Sequence, residues 1–229
     1  MGTSFRAGTV PTGTLVRTGA ERATLVRRTY ALVFSGIIVT MLGAFVAFTQ
    51  PQVMGFAAQH PFILFIIAFA PLFMAQRAAR TFPANIGFTY LYTFLIGVWI
   101  APLLAYFERN QPGTVGNAAL LTGTSFAVLT GYAFVSRRDF SAWGGFLVVG
   151  LWVLIATSII SLFFHSAATD LWLASVTVLL FSGLLVFDTW RLRNVYGPDD
   201  YVPAAINIYL DLLNMFLAIL RIFGGNQRR

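Results

Sequence analysis

Cysteine is absent from this chain, lysine is absent too, and charged residues of any kind make up only 10% of its 229 positions. Without cysteine there can be no disulfide, no iron–sulfur cluster and no thiol nucleophile. The two histidines, His60 and His165, both fall at the ends of apolar runs and are too few for a zinc site. There is no glycine-rich phosphate loop, no Ser–His–Asp set within one region and no zinc-binding helix. The sequence therefore reads as that of a non-enzyme that holds no resident cofactor. All 15 basic residues are arginine, which points to genome composition and to no mechanism.

What is present is apolar. Hydrophobic residues make up 58% of the chain, and the mean hydropathy is +0.76. A soluble domain does not have this composition. The chain is expected to be an all-α integral membrane protein with one membrane domain at 29–225. An arginine-rich tail at 1–28 precedes it, and a short basic C-terminus at 226–229 follows. The tail does not look like a cleaved signal peptide, because its first apolar run starts late and lacks a small-residue cleavage site. The net charge of +7 suits contact with anionic lipid headgroups. With no folded basic surface, a nucleic-acid partner is not expected.

Charge-free runs mark the spans. Residues 29–76 contain no Asp, Glu, Lys or Arg. That is too long for one helix, and Pro51 with His60 and Pro61 divides it. Helices are expected at 30–50, 61–76, 85–107, 116–136, 142–165, 170–190 and 204–223, most near the ~20 residues that cross a bilayer core. Pro71 is read as a kink in the short second helix.

Arginine placement gives the orientation. Arg6, Arg17, Arg22, Arg27 and Arg28 precede the first helix. Arg77 with Arg80, Arg137 with Arg138, and Arg191 with Arg193 occupy links on that same side, against Arg109 alone on the other. The N-terminus is therefore expected in the cytoplasm. Arg228 and Arg229 break the pattern if the last helix spans fully: either the C-terminus is external or that helix is re-entrant.

Two carboxylates stand out. Asp188 closes the apolar run 175–190, and Asp211 lies near the start of 204–220. Antiparallel helices joined by the short polar link RLRNVYGPDD would bring both to a similar depth. Ionisable groups inside a bilayer are costly, so their default reading is functional. Two close carboxylates cannot both ionise freely and titrate as a unit; deprotonated, they can be bridged by an arginine or hold a hard cation such as calcium. The plainer alternative is a structural ion pair joining helices. In the last helix Asn207, Asp211, Asn214 and Arg221 recur at spacings of four, three and seven, which places them on one face. That helix should be enclosed by the others, with Arg221 snorkelling to the outer interface.

The remaining polar and small residues have ordinary readings. Asp139 with Ser141 is a candidate cap for the fifth helix, and Asp139 is a candidate contact for arginines at the same end. Glu108 and Asp170 lie at outer ends, solvated or drawing cations to an outer mouth. Tyr90, Tyr92, Trp99 and Trp152 pack the core or anchor at interfaces. Gly97, Gly123, Gly131 and Gly183 allow close helix packing. An intramembrane aspartyl protease also uses two membrane aspartates, but its Tyr-Asp and Gly-x-Gly-Asp contexts are missing.

Three stretches, LLTGTSFAVLTGYAFVSRRDFSAWGGFLVVGL (120–151), LLFSGLLVFDTWRL (179–192) and AAINIYLDLLNMFLAILRIFGG (204–225), together resemble the transmembrane Bax inhibitor motif family, in its bacterial-type members. YLYTFLIGVWIAPL (90–103) extends the likeness, which weakens over the first two helices and stops at the tail. The resemblance implies seven transmembrane helices, six in two layers around a central C-terminal helix. It implies a calcium leak gated by pH through an aspartate pair, which Asp188 and Asp211 match. It also implies an arginine latch at the end of the second helix, with Arg77 the better match and Arg80 the alternative, since Phe82–Pro83 shifts the register. Protons and calcium are then the partners, in a multi-pass protein of a bacterial inner membrane. The competing expectation is a non-conducting regulatory or accessory subunit of a larger membrane assembly, because some members suppress cell death and some bacterial ones restrain a membrane protease.

Overall fold

A computed structural model describes residues 19–161, 163 and 166–226. Arg6, Arg17, His165, Arg228 and Arg229 lie outside the described residues. The described residues form eight helices: α1 (Gly19–Thr49), α2 (Pro51–Gln59), α3 (Pro61–Arg77), α4 (Ala84–Asn110), α5 (Thr114–Val135), α6 (Trp143–Ser161), α7 (Ala167–Asn194) and α8 (Tyr201–Asn226). Six are long and apolar enough to cross a membrane, and the bent pair α2–α3 makes a seventh candidate. The chain is a multi-pass membrane protein. Large side chains such as Phe45, Phe62, Ile66 and Phe146 stay exposed on it; a surface this apolar suits lipid and not water.

The chain departs from the sequence expectation at the first three helices. α1 starts at Gly19, so residues 19–28, read as tail, are its first turns. Ala, Glu, Arg and Leu in GAERATLVRR are all good helix formers, and nothing in this stretch breaks the run. The 50–60 segment, expected as a link, is mostly the short helix α2, with Pro51 in its first turn. Pro61 opens α3 in the same way, because proline is preset for the first helical position. Between them the axis turns by 100° at His60. Pro71 is buried inside α3, which runs on through it.

α1 and α4 are pressed together at glycines. A side chain on Gly43 would strike the Phe94 carbonyl, and one on Gly97 would strike the Thr40 carbonyl. Gly36 is less tight, with the Thr93 Cγ2 methyl at 3.3 Å from where its Cβ would lie. Gly183 packs on Leu147, but Gly123 and Gly131 face open space, so close packing does not explain those two.

α8 has α1, α3, α4, α5 and α7 beside it, whereas α6 lies beside α7 alone. Six helices in two layers around the last one are therefore matched only in part: among the described residues α6 packs on α7 and does not touch α8. The most apolar stretches of α8 and α4 are equally buried, at 44% each, against 11% for α6. Enclosure of the last helix is thus shared with α4.

α8 runs from one end of the bundle to the other. At its start the Tyr201 hydroxyl accepts from Asn85 Nδ2 at 3.3 Å, at the beginning of α4. At its finish Gln111 Nε2 donates to the Gly224 carbonyl at 3.1 Å, just past the end of α4. Its 26 residues would span about 39 Å at helical rise, long enough to cross a bilayer core fully. Arg28, Arg80 and Arg191 lie at the end where α8 begins.

Candidate functional site: a buried carboxyl pair

Asp188 lies six residues before the end of α7, and Asp211 lies ten residues into α8. The link between them is ordered by Asp200, whose Oδ2 accepts from the Gly197 amide at 2.9 Å and turns the chain back. α7 and α8 are extensively packed along their length, through apolar residues such as Leu185, Ile208 and Met215, all fully buried.

This hairpin brings the two carboxyl groups close enough to influence one another. Both are buried, Asp188 at 7% and Asp211 at 4% exposure. Asp211 Oδ2 is enclosed and receives no N–H or hydroxyl donor among the described residues. A hydrogen bond between it and Asp188 requires that one of the two carry a proton, since a carboxylate can only accept.

Among the described residues one arginine reaches the pair, and it is Arg191. Its Nη1 donates to Asp188 Oδ1 at 2.9 Å. The contact spans three residues of one helix, a spacing that places both side chains on the same face. The guanidinium also sits 4.8 Å from the Tyr196 ring centroid and 5.6 Å from that of Phe187, a cation–π arrangement that holds it without a second carboxylate. The Tyr196 hydroxyl accepts from Asn207 Nδ2 at 2.9 Å. Burial is the main force pushing the Tyr196 phenol above its ordinary range, with the Asp188 carboxylate adding to it. Tyr196 therefore stays neutral at physiological pH.

Arg77 and Arg80, expected at the pair, do not reach it. Arg80 Nη2 donates to Asp200 Oδ1 at 3.1 Å and is 76% exposed. Arg77 is exposed at the end of α3 and forms no ion pair among the described residues. The physical reason is placement. α3 contributes only a few neighbours to α8 and none to α7, and its last turn ends outside that interface.

The other polar residues are distributed by local chemistry. Asn207 belongs to the arginine network, whereas Asn214 folds back to the Leu210 carbonyl of its own helix at 2.8 Å, and Arg221 is exposed. The polar face of α8 therefore divides into a working half and a self-satisfied half. Asp139 Oδ1 accepts from the Ser141 amide at 2.8 Å, an Asx turn just ahead of α6, and makes no ion pair with an arginine among the described residues. Arg193 donates to the Phe134 and Ser136 carbonyls at 2.7 and 3.1 Å and so closes the C-terminal end of α5, a capping role that the orientation argument passed over. Glu108 and Asp170 are exposed. Tyr92 is a core residue, Trp99 donates to the Pro61 carbonyl at 3.1 Å, and Trp152 is exposed.

Sequence reasoning also missed Tyr209, whose hydroxyl lies 2.6 Å from Thr40 Oγ1 and ties α8 to α1. Nothing in its spacing separates it from a packing aromatic. The Arg191 contact did carry a signal, the three-residue spacing from Asp188.

No cluster of three or more His, Asp or Glu side chains occurs among the described residues. Calcium takes six to eight oxygens, and this pair supplies at most four. That is too few for a tightly held calcium ion. A cation and the Arg191 guanidinium would also compete for the same Asp188 oxygen.

The family profile described as "Inhibitor of apoptosis-promoting Bax1" matches residues 22–228. "Bax inhibitor 1" of Schizosaccharomyces pombe is 31% identical over 210 residues, covering 90% of this chain and 78% of that protein. "Protein lifeguard 4" of Mus musculus is 29% identical over 211 residues, covering 91% and 87%. A membrane protein of Vibrio cholerae is 31% identical over 216 residues, covering 93% and 94%. With a match that begins four residues into α1 and runs past the end of α8, the chain belongs to the Bax inhibitor-1 family.

Proposed function

We propose that this protein is a proton-controlled cation leak, with calcium as the ion, in which Asp188 and Asp211 form the gate. The observation that carries this reading is the pair itself: two carboxyl groups close together inside an otherwise apolar bundle, one with an enclosed oxygen that receives no donor. In the arrangement seen, Arg191 occupies Asp188 and excludes a cation from it. Protonating the pair lets one carboxyl donate to the other and weakens the hold on Arg191. As pH falls the arginine contact loosens and the path opens. Asp188 and Arg191 on α7, Tyr196 on the link, and Asp211 with Asn207 on α8 are the groups that take part. The positive-inside rule puts this arginine-rich end in the cytoplasm, in keeping with a bacterial inner membrane and a role in calcium homeostasis. The reading needs no catalytic group and no resident cofactor.

The test is calcium flux into proteoliposomes across a pH series. Wild type should conduct more as pH falls. Asp188→Asn and Asp211→Asn should flatten that dependence, because an amide does not titrate. If both variants keep the wild-type pH profile, sensing lies elsewhere.

A second reading is a non-conducting regulatory or accessory subunit of a larger membrane complex, such as a membrane protease regulator. α6 favours it. This helix touches only α7 and leaves Phe146, Val149, Trp152 and Val153 exposed, a face that another membrane protein can cover. Lipid covers such a face equally well, so this reading ranks second. Absence of flux at every pH, with a protein retained at fixed stoichiometry through purification, would establish it in place of the leak.

A further inference from the structure

A second site lies at the arginine-rich end, apart from the carboxyl pair. It is a cavity of about 800 Å³ between α1 and α4, within the ~300–1,000 Å³ range of small-molecule pockets. Deeper in the bundle these two helices touch backbone to backbone at Gly43 and Gly97. Toward the arginine-rich end they leave a gap. Its α1 wall is Arg28, Ala31, Leu32 and Ser35, residues at i, i+3, i+4 and i+7 that make one helix face. Asn85, Ile86 and Tyr90 form the α4 wall. A hydrogen bond of 3.0 Å between Ser35 Oγ and the Tyr90 hydroxyl joins the two walls.

The rim is polar and the walls are mixed. Arg28 lies over the Tyr201 ring at 5.9 Å. Arg80 has one bond to Asp200 and, with five N–H donors on a guanidinium, has others to offer. Asp199 supplies a carboxylate on the same rim, and Phe82, 73% exposed in the α3–α4 link, flanks it.

We infer that this cavity binds the headgroup of an anionic phospholipid from the leaflet at the arginine-rich end. Arg28 and Arg80 meet the phosphate, Asp199 accepts from a headgroup hydroxyl, and Phe82 and Ile86 lie along the start of the acyl chains. Charge selects this occupant over the chain's own first residues. Residues 1–18 carry Arg6 and Arg17 and no acid, so they supply no anion for Arg28, which forms no ion pair among the described residues. The site lies apart from the carboxyl pair and shares no residue with it, so it does not depend on the leak reading.

The experiment is native mass spectrometry of the detergent-solubilised full-length chain, titrated separately with phosphatidylglycerol and phosphatidylcholine. The first phosphatidylglycerol should bind at least about tenfold more tightly than phosphatidylcholine, given roughly a tenfold gain for each one or two basic contacts at a membrane surface. Arg28→Gln with Arg80→Gln should erase that preference. Ala31→Trp, which fills the groove and leaves charge unchanged, should weaken both lipids. Arg137→Gln with Arg138→Gln, on the α5–α6 link, should leave the preference intact. The inference is overturned by equal binding of the two lipids to wild type. Unaltered binding to Ala31→Trp overturns it too, as does an equal loss in the Arg137/Arg138 variant. So does displacement of the lipid by millimolar inorganic phosphate, which would make the ligand a soluble anion.

Discussion

Among the described residues, Arg191 is the cation in contact with the carboxyl pair. Coulomb attraction at contact distance is about 4 kcal/mol at an intermediate dielectric, and desolvation of both groups cancels much of that. A weak net hold suits a reversible gate. Replacing Arg191 with Gln should raise calcium leak at neutral pH by roughly three- to tenfold, the scale of about 1 kcal/mol, and leave leak at low pH near wild type. Arg77→Ala should change neither, since Arg77 is exposed and away from the pair. Flux assays on the two variants at both pH values separate the roles; equal leak from both would return the latch to α3. Tyr196→Phe keeps the ring under Arg191 and removes the hydroxyl that accepts from Asn207. Because burial holds that phenol above its ordinary range, it does not titrate near neutrality. The midpoint of the pH profile should therefore stay in place, and a shifted midpoint would make Tyr196 part of the sensor.

At the scale of the element, the α1–α4 contact is governed by backbone approach. Gly97→Ala places a methyl against the Thr40 carbonyl, and overpacking of this kind costs about 1–3 kcal/mol or more. Gly131→Ala places one in open space on α5, where exchanging glycine for alanine in a helix gains roughly 0.5–1 kcal/mol. Thermal unfolding in detergent should move in opposite directions for the two. A Gly97→Ala protein as stable as wild type would mean that α1 and α4 can separate without cost. The two glycines look alike in the sequence, each inside an apolar run. Only the neighbouring helix distinguishes them.

At the scale of the molecule, the seven expected crossings place the two ends of α8 on opposite faces of the membrane. The chain has no cysteine, so single introduced thiols report orientation without background. Gln111→Cys and Gly225→Cys lie together at one end, where Gln111 bonds the Gly224 carbonyl. Arg138→Cys lies on the α5–α6 link at the other. A membrane-impermeant thiol reagent added to intact cells should label the first two and spare the third. Labelling of Arg138→Cys alone would invert the orientation given by arginine placement.

Composition and hydropathy alone determined that this chain is an all-α membrane protein. Lipid leaves the backbone no alternative to internal hydrogen bonding, so long apolar runs must become helices. The two intramembrane aspartates were legible for the same reason, since a carboxylate in an apolar run stands out whatever surrounds it. The motifs at 179–192 and 204–225 pointed to the family that the profile match supports. What the sequence could not decide was which distant groups meet. α1 runs ten residues back into a segment read as tail, because local helix propensity does not stop where charge begins. α6 sits outside α7 because nothing in an apolar helix says which neighbour it will cover. The arginine at Asp188 comes from the next turn of α7 and not from α3, and the cavity at Arg28 exists because two glycine-packed helices part before the membrane surface. These are outcomes of tertiary packing, in which side chains far apart in the sequence compete for the same few ångströms.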